Sequence, residues 1–331
     1  MNRETEKFLV FAAMRNEGAF IVEWVSWYRM LGFEVIVGIN DCTDRSPALL
    51  HRLEKEGWLT LFRHCPPEGM PPKTSAHRAM RRQPAVAGCD WLLICDVDEF
   101  LVLHEGDGTI RSYVDAIGRE HLGVAFHWQC FGNGGHRTYE DGLVHRQFTR
   151  VGPRIRPQNA WIKTMIHKPL GFARYSDHSP WQYEGRWGDL PDNIVDGEGR
   201  PIARFLTEAH PIRMTLPEEI THRAAQMNHY VIRSDESFDL KRGIPSASAL
   251  KDRYTRQFYL LRNRNEFEDR SALACRERFD RVHAATMALP GVRRLHHLCC
   301  ADYVVQLCAR AGRAAEDDAR WWHHMQQAEA G

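Results

Sequence analysis

Between Lys7 and Cys130 short apolar runs alternate with segments of helical periodicity, and this alternation restricts the fold more than any other feature. Lys7–Met14 (KFLVFAAM) is a continuous apolar run, the pattern of a strand buried on both faces. It breaks at Arg15-Asn16-Glu17-Gly18. Phe20, Ile21, Trp24, Val25, Tyr28 and Leu31 then recur at helical spacing, and Gly32 closes the segment. Glu34–Ile39 reads as a second strand. Ser46 and Pro47 start a helix that runs through Glu56. Leu59–Arg63 is a third strand, followed by a Pro-rich loop and a helix from about Thr74 to Arg82. Trp91–Cys95 is a fourth strand, Ile110–Arg119 an amphipathic helix capped by Thr109, and Gly123–His127 a fifth strand. Such alternation predicts an α/β fold: a mostly parallel sheet, helices on both faces and right-handed crossovers.

The fourth strand runs directly into Asp96-Val97-Asp98-Glu99. Open α/β sheets bind ligands beyond the C-terminal ends of their strands. Two acids at i and i+2 there are placed to share a hard divalent cation and leave coordination positions for phosphate oxygens. The plain alternative is a strand end with solvated acids. Arg15-Asn16-Glu17 and the pair Asp41 and Asp44 lie on equivalent loops, so three polar clusters converge at one edge. Neither G-x-G-x-x-G nor G-x-x-x-x-G-K follows the first strand, which leaves a metal bridged by the acids as the way to hold a diphosphate.

Composition excludes other classes. The 331 residues carry a formal net charge of +1, so no strong field points to nucleic acid or an anionic membrane. No apolar stretch is long enough for a membrane span. The residues after Met1 are polar up to Phe8, so no secretory leader is expected. Nine cysteines without disulfide or metal spacing fit a reducing cytoplasm. Ten tryptophans are many for this length; they suit sugar platforms as well as core packing.

The motifs R-N-E-G (15–18), N-D-C-T-D-R-S (40–46) and D-V-D-E-F (96–100) occur in that order. Trp128–Gly135 (WQCFGNGG), Lys163-Thr-Met, Asn228–Ser234 (NHYVIRS), Phe238 and Lys241-Arg242-Gly243 follow. Together they resemble the GT-A-fold glycosyltransferases, closest to bacterial family-2-like members related to family 92, over roughly residues 7–245. The resemblance implies a GT-A-like mixed sheet, a UDP- or GDP-sugar donor, and Mn2+ or Mg2+ on a D-x-D motif formed by Asp96 and Asp98. His229 then takes the place of a third metal ligand. Asp41 and Asp44 fall on the loop that faces base and ribose, with an Asx turn at a helix start as the alternative. Arg15, Asn16, Glu17, Lys73, Lys241 and Arg242 are further donor-binding candidates. Lys163 faces either donor or solvent.

An inverting transferase needs a base near the acceptor hydroxyl. The Tyr175–Gly199 stretch, long and rich in Trp, Gly, Asp and Pro, is the expected acceptor loop. Asp177 and Glu184 are the leading base candidates, ahead of Asp141 and His178. Trp128, Trp181 and Trp187 are the candidate sugar platforms. A glycan or lipid-linked acceptor is expected.

Residues 1–245 thus read as a catalytic domain and residues 246–331 as a helical extension. Ala249, Leu250, Tyr254, Phe258 and Leu261 set a helical stripe that starts at Ser246 or Ser248. Helices follow over Arg270–Ala288 and Leu298–Arg310, then a tail with Trp321, Trp322, His323 and His324. A cap on the sheet is the simplest role; an Arg-rich helical face also allows peripheral membrane association. Two other functions compete. One is a degenerate transferase fold with a binding role. The other is D-x-D phosphoryl transfer, disfavoured because Phe100 stands where Thr or Val is usual and because the acids follow the fourth strand.

Overall fold

The computed structural model describes residues 5–185, 194–202 and 211–330. The chain begins β1 (Phe8–Met14), α1 (Gly18–Met30), β2 (Glu34–Ile39), α2 (Ser46–Lys55), β3 (Thr60–Arg63), α3 (Pro72–Met80), α4 (Pro84–Ala87) and β4 (Trp91–Ile94). It continues through β5 (Glu99–Leu103), α5 (Ile110–Ile117), β6 (Gly123–Cys130), α6 (Val144–Gln147), β7 (Arg150–Val151), β8 (Ile162–His167), β9 (Phe172–Tyr175) and β10 (Pro180–Tyr183). After these come β11 (Ile194–Asp196), β12 (Ala225–His229), α7 (Asp235–Lys241), α8 (Arg256–Arg262), β13 (Phe267–Glu268), α9 (Arg276–Met287), α10 (Val292–Arg310) and α11 (Ala319–Ala330).

The main sheet runs β3-β2-β1-β4-β8-β6-β12-β5, with β11 paired to β6. Its first half is parallel, as the buried apolar runs require. β8 is antiparallel to both β4 and β6, and β12 pairs parallel with β6 and antiparallel with β5, so the sheet is mixed. The alternating pattern reaches only the parallel half. β8 and β12 arrive from later in the chain and carry no helix-strand alternation.

Part of the tryptophan complement is core. Trp24, Trp27 and Trp91 are fully buried. The first two satisfy their indole N–H on backbone carbonyls, Trp24 on Asp96 at 3.0 Å and Trp27 on Leu101 at 2.8 Å. Trp91 stacks on Phe8 and on His167. Thr109 caps α5 through its side chain, accepting from the Ser112 N–H. Gly18 opens α1 where α10 crosses it; a Cβ there would lie 2.7 Å from Cys299 Cβ.

Two expectations are corrected. The helix read from Ser246 onward starts only at Arg256, with Thr255 as its cap, accepting from the Phe258 N–H. Ser246–Tyr254 are irregular because they fold over the sheet edge: Lys73 N donates to the Ala247 carbonyl, and Leu250 takes φ +53°. The Tyr175–Gly199 stretch is not one open loop. Phe172–Tyr175 and Pro180–Tyr183 form an antiparallel hairpin, and Ile194–Asp196 joins the main sheet. Among the described residues no helix is long and apolar enough to cross a membrane.

Candidate active site

The D-x-D segment is pinned by its backbone as well as its side chains. Glu99 is fully buried and accepts from the Asp96 N–H at 2.7 Å. Tyr230 N–H, one residue beyond β12, donates to the Asp98 carbonyl at 2.8 Å. These bonds bring the end of β12 against the acids that follow β4.

A cavity of about 270 Å³ lies at this edge. Its floor is made by Met14 at the end of β1, Asp96 and Asp98 after β4, Trp128 on β6 and His229 on β12. Arg15, Asn16 and Glu17 line one side, Asp177 and His178 another, and Ser246–Ser248 with Arg253 and Tyr254 a third. Tyr303 and Gln306 of α10 complete the wall.

Cations are interleaved with the acids. Lys73 Nζ is 2.5 Å from Asp96 and 3.6 Å from Asp177. Lys163 is buried and stands 2.9 Å from Glu99 and 3.5 Å from Asp96. Lys241 lies 3.2 Å from Asp98 and also donates to the Val231 carbonyl. Burial alone would raise the Asp96 carboxyl, but Lys163 and Lys73 outweigh it and hold it well below the usual carboxylate range. Asp98 is likewise held low against its burial by Lys241 and Arg233. Glu99 goes the other way: burial, helped by Asp96 and Asp98, pushes it up to about 8 against the pull of Lys163.

The donor set for a divalent cation is partly assembled. His229 Nε2 faces Asp98 Oδ1 at 3.8 Å. Burial pushes the His229 imidazole down to about 3, so it is neutral at pH 7, the form that binds metal. Its Nδ1 is buried without a hydrogen-bond partner. A neutral imidazole beside a carboxylate suits manganese-type ions. Asp96, by contrast, is drawn to two lysines, and the expected trio does not gather its ligand atoms within 4.8 Å of one another.

Other expected residues divide by position. Asn16 ties two loops together, its Oδ1 accepting from Thr43 N–H and its Nδ2 donating to Thr43 Oγ1, both at 2.8 Å. Glu17 pairs with Arg233 at 3.7 Å, and burial raises its pKa despite that pair. Asp177 is held by His77 at 3.4 Å and by Ser248, whose hydroxyl donates at 2.7 Å. Burial would raise its pKa, yet Lys73 and His77 bring it well below the usual range. Trp128 is 6% exposed and stacks on Trp161, with His229 packed against it at 4.1 Å.

Several expected contacts lie elsewhere. Asp44 accepts from Ser46 N–H and Oγ, the Asx turn at the start of α2, because the Ser-Pro helix start needs that acceptor. Asp41 is exposed and bonded by its neighbour Asn40; Asn40, not Asp41, lines the cavity. Arg242, just past α7, turns to Asp239 at 3.0 Å. Trp181 sits under Arg174 on the hairpin, and Glu184 is 62% exposed beside Arg81; neither lines the cavity. The hairpin turn carries Asp177 and His178 to the cavity, while Trp181 and Glu184 lie past it. Trp187 lies outside the described residues.

Sequence reading passed over Arg233, Ser248, Arg253 and Tyr254. Arg233 was within a quoted motif. It takes φ +56° and lies 3.5 Å over the Phe20 ring, which aims it at Glu17. Arg253 looked like one charge on a helical face, and only the irregular course of residues 246–254 brings it to the cavity.

Residues 11–230 match glycosyltransferase family 92. The chain belongs to that family. Its mixed sheet and its transferase class are as the resemblance implied. No curated protein matches this family 92 chain in sequence. Among solved structures it is similar to S. aureus TarS 1-349, with 12% identity, TM-score 0.35, and coverage of 98% of this chain and 90% of that one. A TarS 1-349 complex with UDP-GlcNAc gives 11% identity and TM-score 0.35, covering 98% and 91%. Galactosyltransferase LgtC with donor and acceptor sugar analogs gives 10% identity and TM-score 0.30, covering 67% and 87%.

Proposed function

We propose that this family 92 enzyme moves a sugar from a UDP- or GDP-linked donor to a glycan or lipid-linked acceptor, with inversion, in a metal-dependent reaction. The observation that carries this reading is the facing pair of Asp98 and His229 in a cavity walled by Lys73, Lys241 and Arg253. Asp98 and His229 would hold Mn2+ or Mg2+, which would supply charge neutralisation for the diphosphate and the leaving group. Lys73 and Lys241 are placed to share that role, since each reaches the cavity while anchored on an acid. Arg15, Asn16 and Asn40 line the side assigned to the nucleotide. Trp128 offers an apolar surface beside His229 for the sugar.

The base must accept a proton near neutral pH. Asp177 faces the cavity, but its partners favour a stable carboxylate. Glu17 also lines the cavity, and its proton affinity is raised. We therefore keep Asp177 and add Glu17 as base candidates. Residues 1–245 form the donor-binding unit in this reading. Residues 246–331 complete it, since Ser248, Arg253 and Tyr303 reach its cavity. All nine cysteines are free thiols, which supports a reducing, cytoplasmic setting.

A thermal-shift screen of nucleotide sugars with and without MnCl2 tests the donor, because a ligand specific for the native state raises the midpoint by mass action. Donor hydrolysis that stops on adding EDTA supports metal dependence. Donor binding with neither hydrolysis nor transfer to any acceptor would favour a degenerate, binding-only transferase.

A further inference from the structure

A second cluster of metal-type ligands lies away from the cavity floor, where the C-terminal helices meet the sheet domain. Asp141 sits on the loop between β6 and α6. His296 and Cys300 are one turn apart on α10, and His323 and His324 are adjacent on α11. The ligand atoms of Asp141, His296 and Cys300 all lie within 4.8 Å of one another, and so do those of Asp141, His323 and His324.

The first of these groups has the spacing of donors around one centre. His296 Nε2 and Cys300 Sγ are 3.7 Å apart, close to the ~3.5 Å that separates a nitrogen and a sulfur on one tetrahedral zinc. Cys300 and His324 are buried. His296 Nδ1 is buried with no hydrogen-bond partner. A bound transition metal would take Cys300 as thiolate and release the proton. A buried thiol beside an imidazole with an unsatisfied Nδ1 is a poor choice for packing alone, since apolar side chains fill such space without polar atoms to satisfy.

We propose that this corner is a structural transition-metal site of the zinc type. Its ligands are Asp141 from the sheet domain and His296 and Cys300 from α10. The site would clip α10 to the loop that follows β6. Tyr139, two residues before Asp141, packs on Tyr303 of α10 at 4.8 Å, and Tyr303 lines the cavity. The clip would thus fix one wall of the donor site without contributing to the chemistry there.

The test uses the untagged full chain, stripped of metal and titrated with Co2+ and separately with Zn2+. An Asp98→Asn background removes the other candidate site. Binding of Co2+ should produce a thiolate-to-cobalt charge-transfer band in the near ultraviolet, and Zn2+ should raise Tm. Cys300→Ser should remove the band. Asp141→Asn, at an exposed position, spares the core and should weaken Zn2+ by roughly tenfold or more. Absence of both band and Tm shift in the Asp98→Asn protein overturns the site. So does a band that survives Cys300→Ser, or Zn2+ affinity unchanged in Asp141→Asn.

Discussion

The Nε2 atom of His229 faces Oδ1 of Asp98 across 3.8 Å, at the point where β12 ends against the loop that follows β4. Two strands distant in sequence thereby deliver one neutral nitrogen and one ionised oxygen to the same spot. We expect Asp98→Asn to abolish Mn2+-dependent donor binding measured by calorimetry, with the far-ultraviolet circular dichroism unchanged. His229→Ala should weaken that binding less, since the carboxylate carries the charge. Wild-type donor affinity in Asp98→Asn would remove the metal from Asp98.

Lys163 underlies the site rather than entering it. It is 1% exposed and pairs with Glu99 and Asp96. Removing one partner of a buried ion pair leaves an uncompensated charge and typically costs about 3–5 kcal/mol. Lys163→Met should therefore lower the urea midpoint strongly. A shift of less than about 1 kcal/mol would mean that the acids are well hydrated instead.

Asp44 and its turn separate stability from binding. Its carboxylate accepts from Ser46 at the start of α2. Asp44→Ala should lower unfolding free energy by about 1 kcal/mol and leave donor affinity nearly unchanged. A large rise in donor Kd without loss of stability would restore Asp44 to the nucleotide site.

Stability should fall in mild acid. His127 is buried, with Nε2 on the Thr215 hydroxyl, and His222 sits with Nε2 on the Trp128 carbonyl. Burial lowers them to about 3 and about 4. The unfolded chain binds these protons near pH 6.5 and the folded chain does not, so stability is full above pH ~6.5 and declines as pH drops toward the folded values. At pH 5 each such histidine should contribute a loss of about 2 kcal/mol. Urea titrations at pH 7 and pH 5 measure it; His127→Gln should flatten the slope.

The wall formed by residues 246–254 should respond to ligand. Lys251 and Arg253 are exposed tryptic sites, and Arg253 lines the cavity. Donor with Mn2+ should slow cleavage there. Equal cleavage rates with and without donor would detach this segment from binding.

The sequence by itself determined the parallel half of the sheet, because strands buried on both faces must be continuous apolar runs and their crossovers must be amphipathic helices. β2 was legible to the residue, and α1, α2 and β1 to within about two residues. It also placed Asp96 and Asp98 at a strand end, where ligand chemistry gathers. Tertiary structure alone decided the rest. The insertion of β8 between β4 and β6 and the antiparallel pairing of β5 leave no periodic mark. They depend on which later segment fills an open sheet edge. The course of residues 246–254 was misread because an apolar spacing of three to four describes a helix equally well as side chains reaching down from an irregular wall. Asp44 and Asp177 show the same limit for the site. Each was a carboxylate on a promising loop, and only their partners, Ser46 in one case and Lys73, His77 and Ser248 in the other, decide what each carboxylate does. Those partners lie two residues away for Asp44 but 71 residues away for the Asp177–Ser248 bond. Local spacing encodes the first; folding must bring together the second.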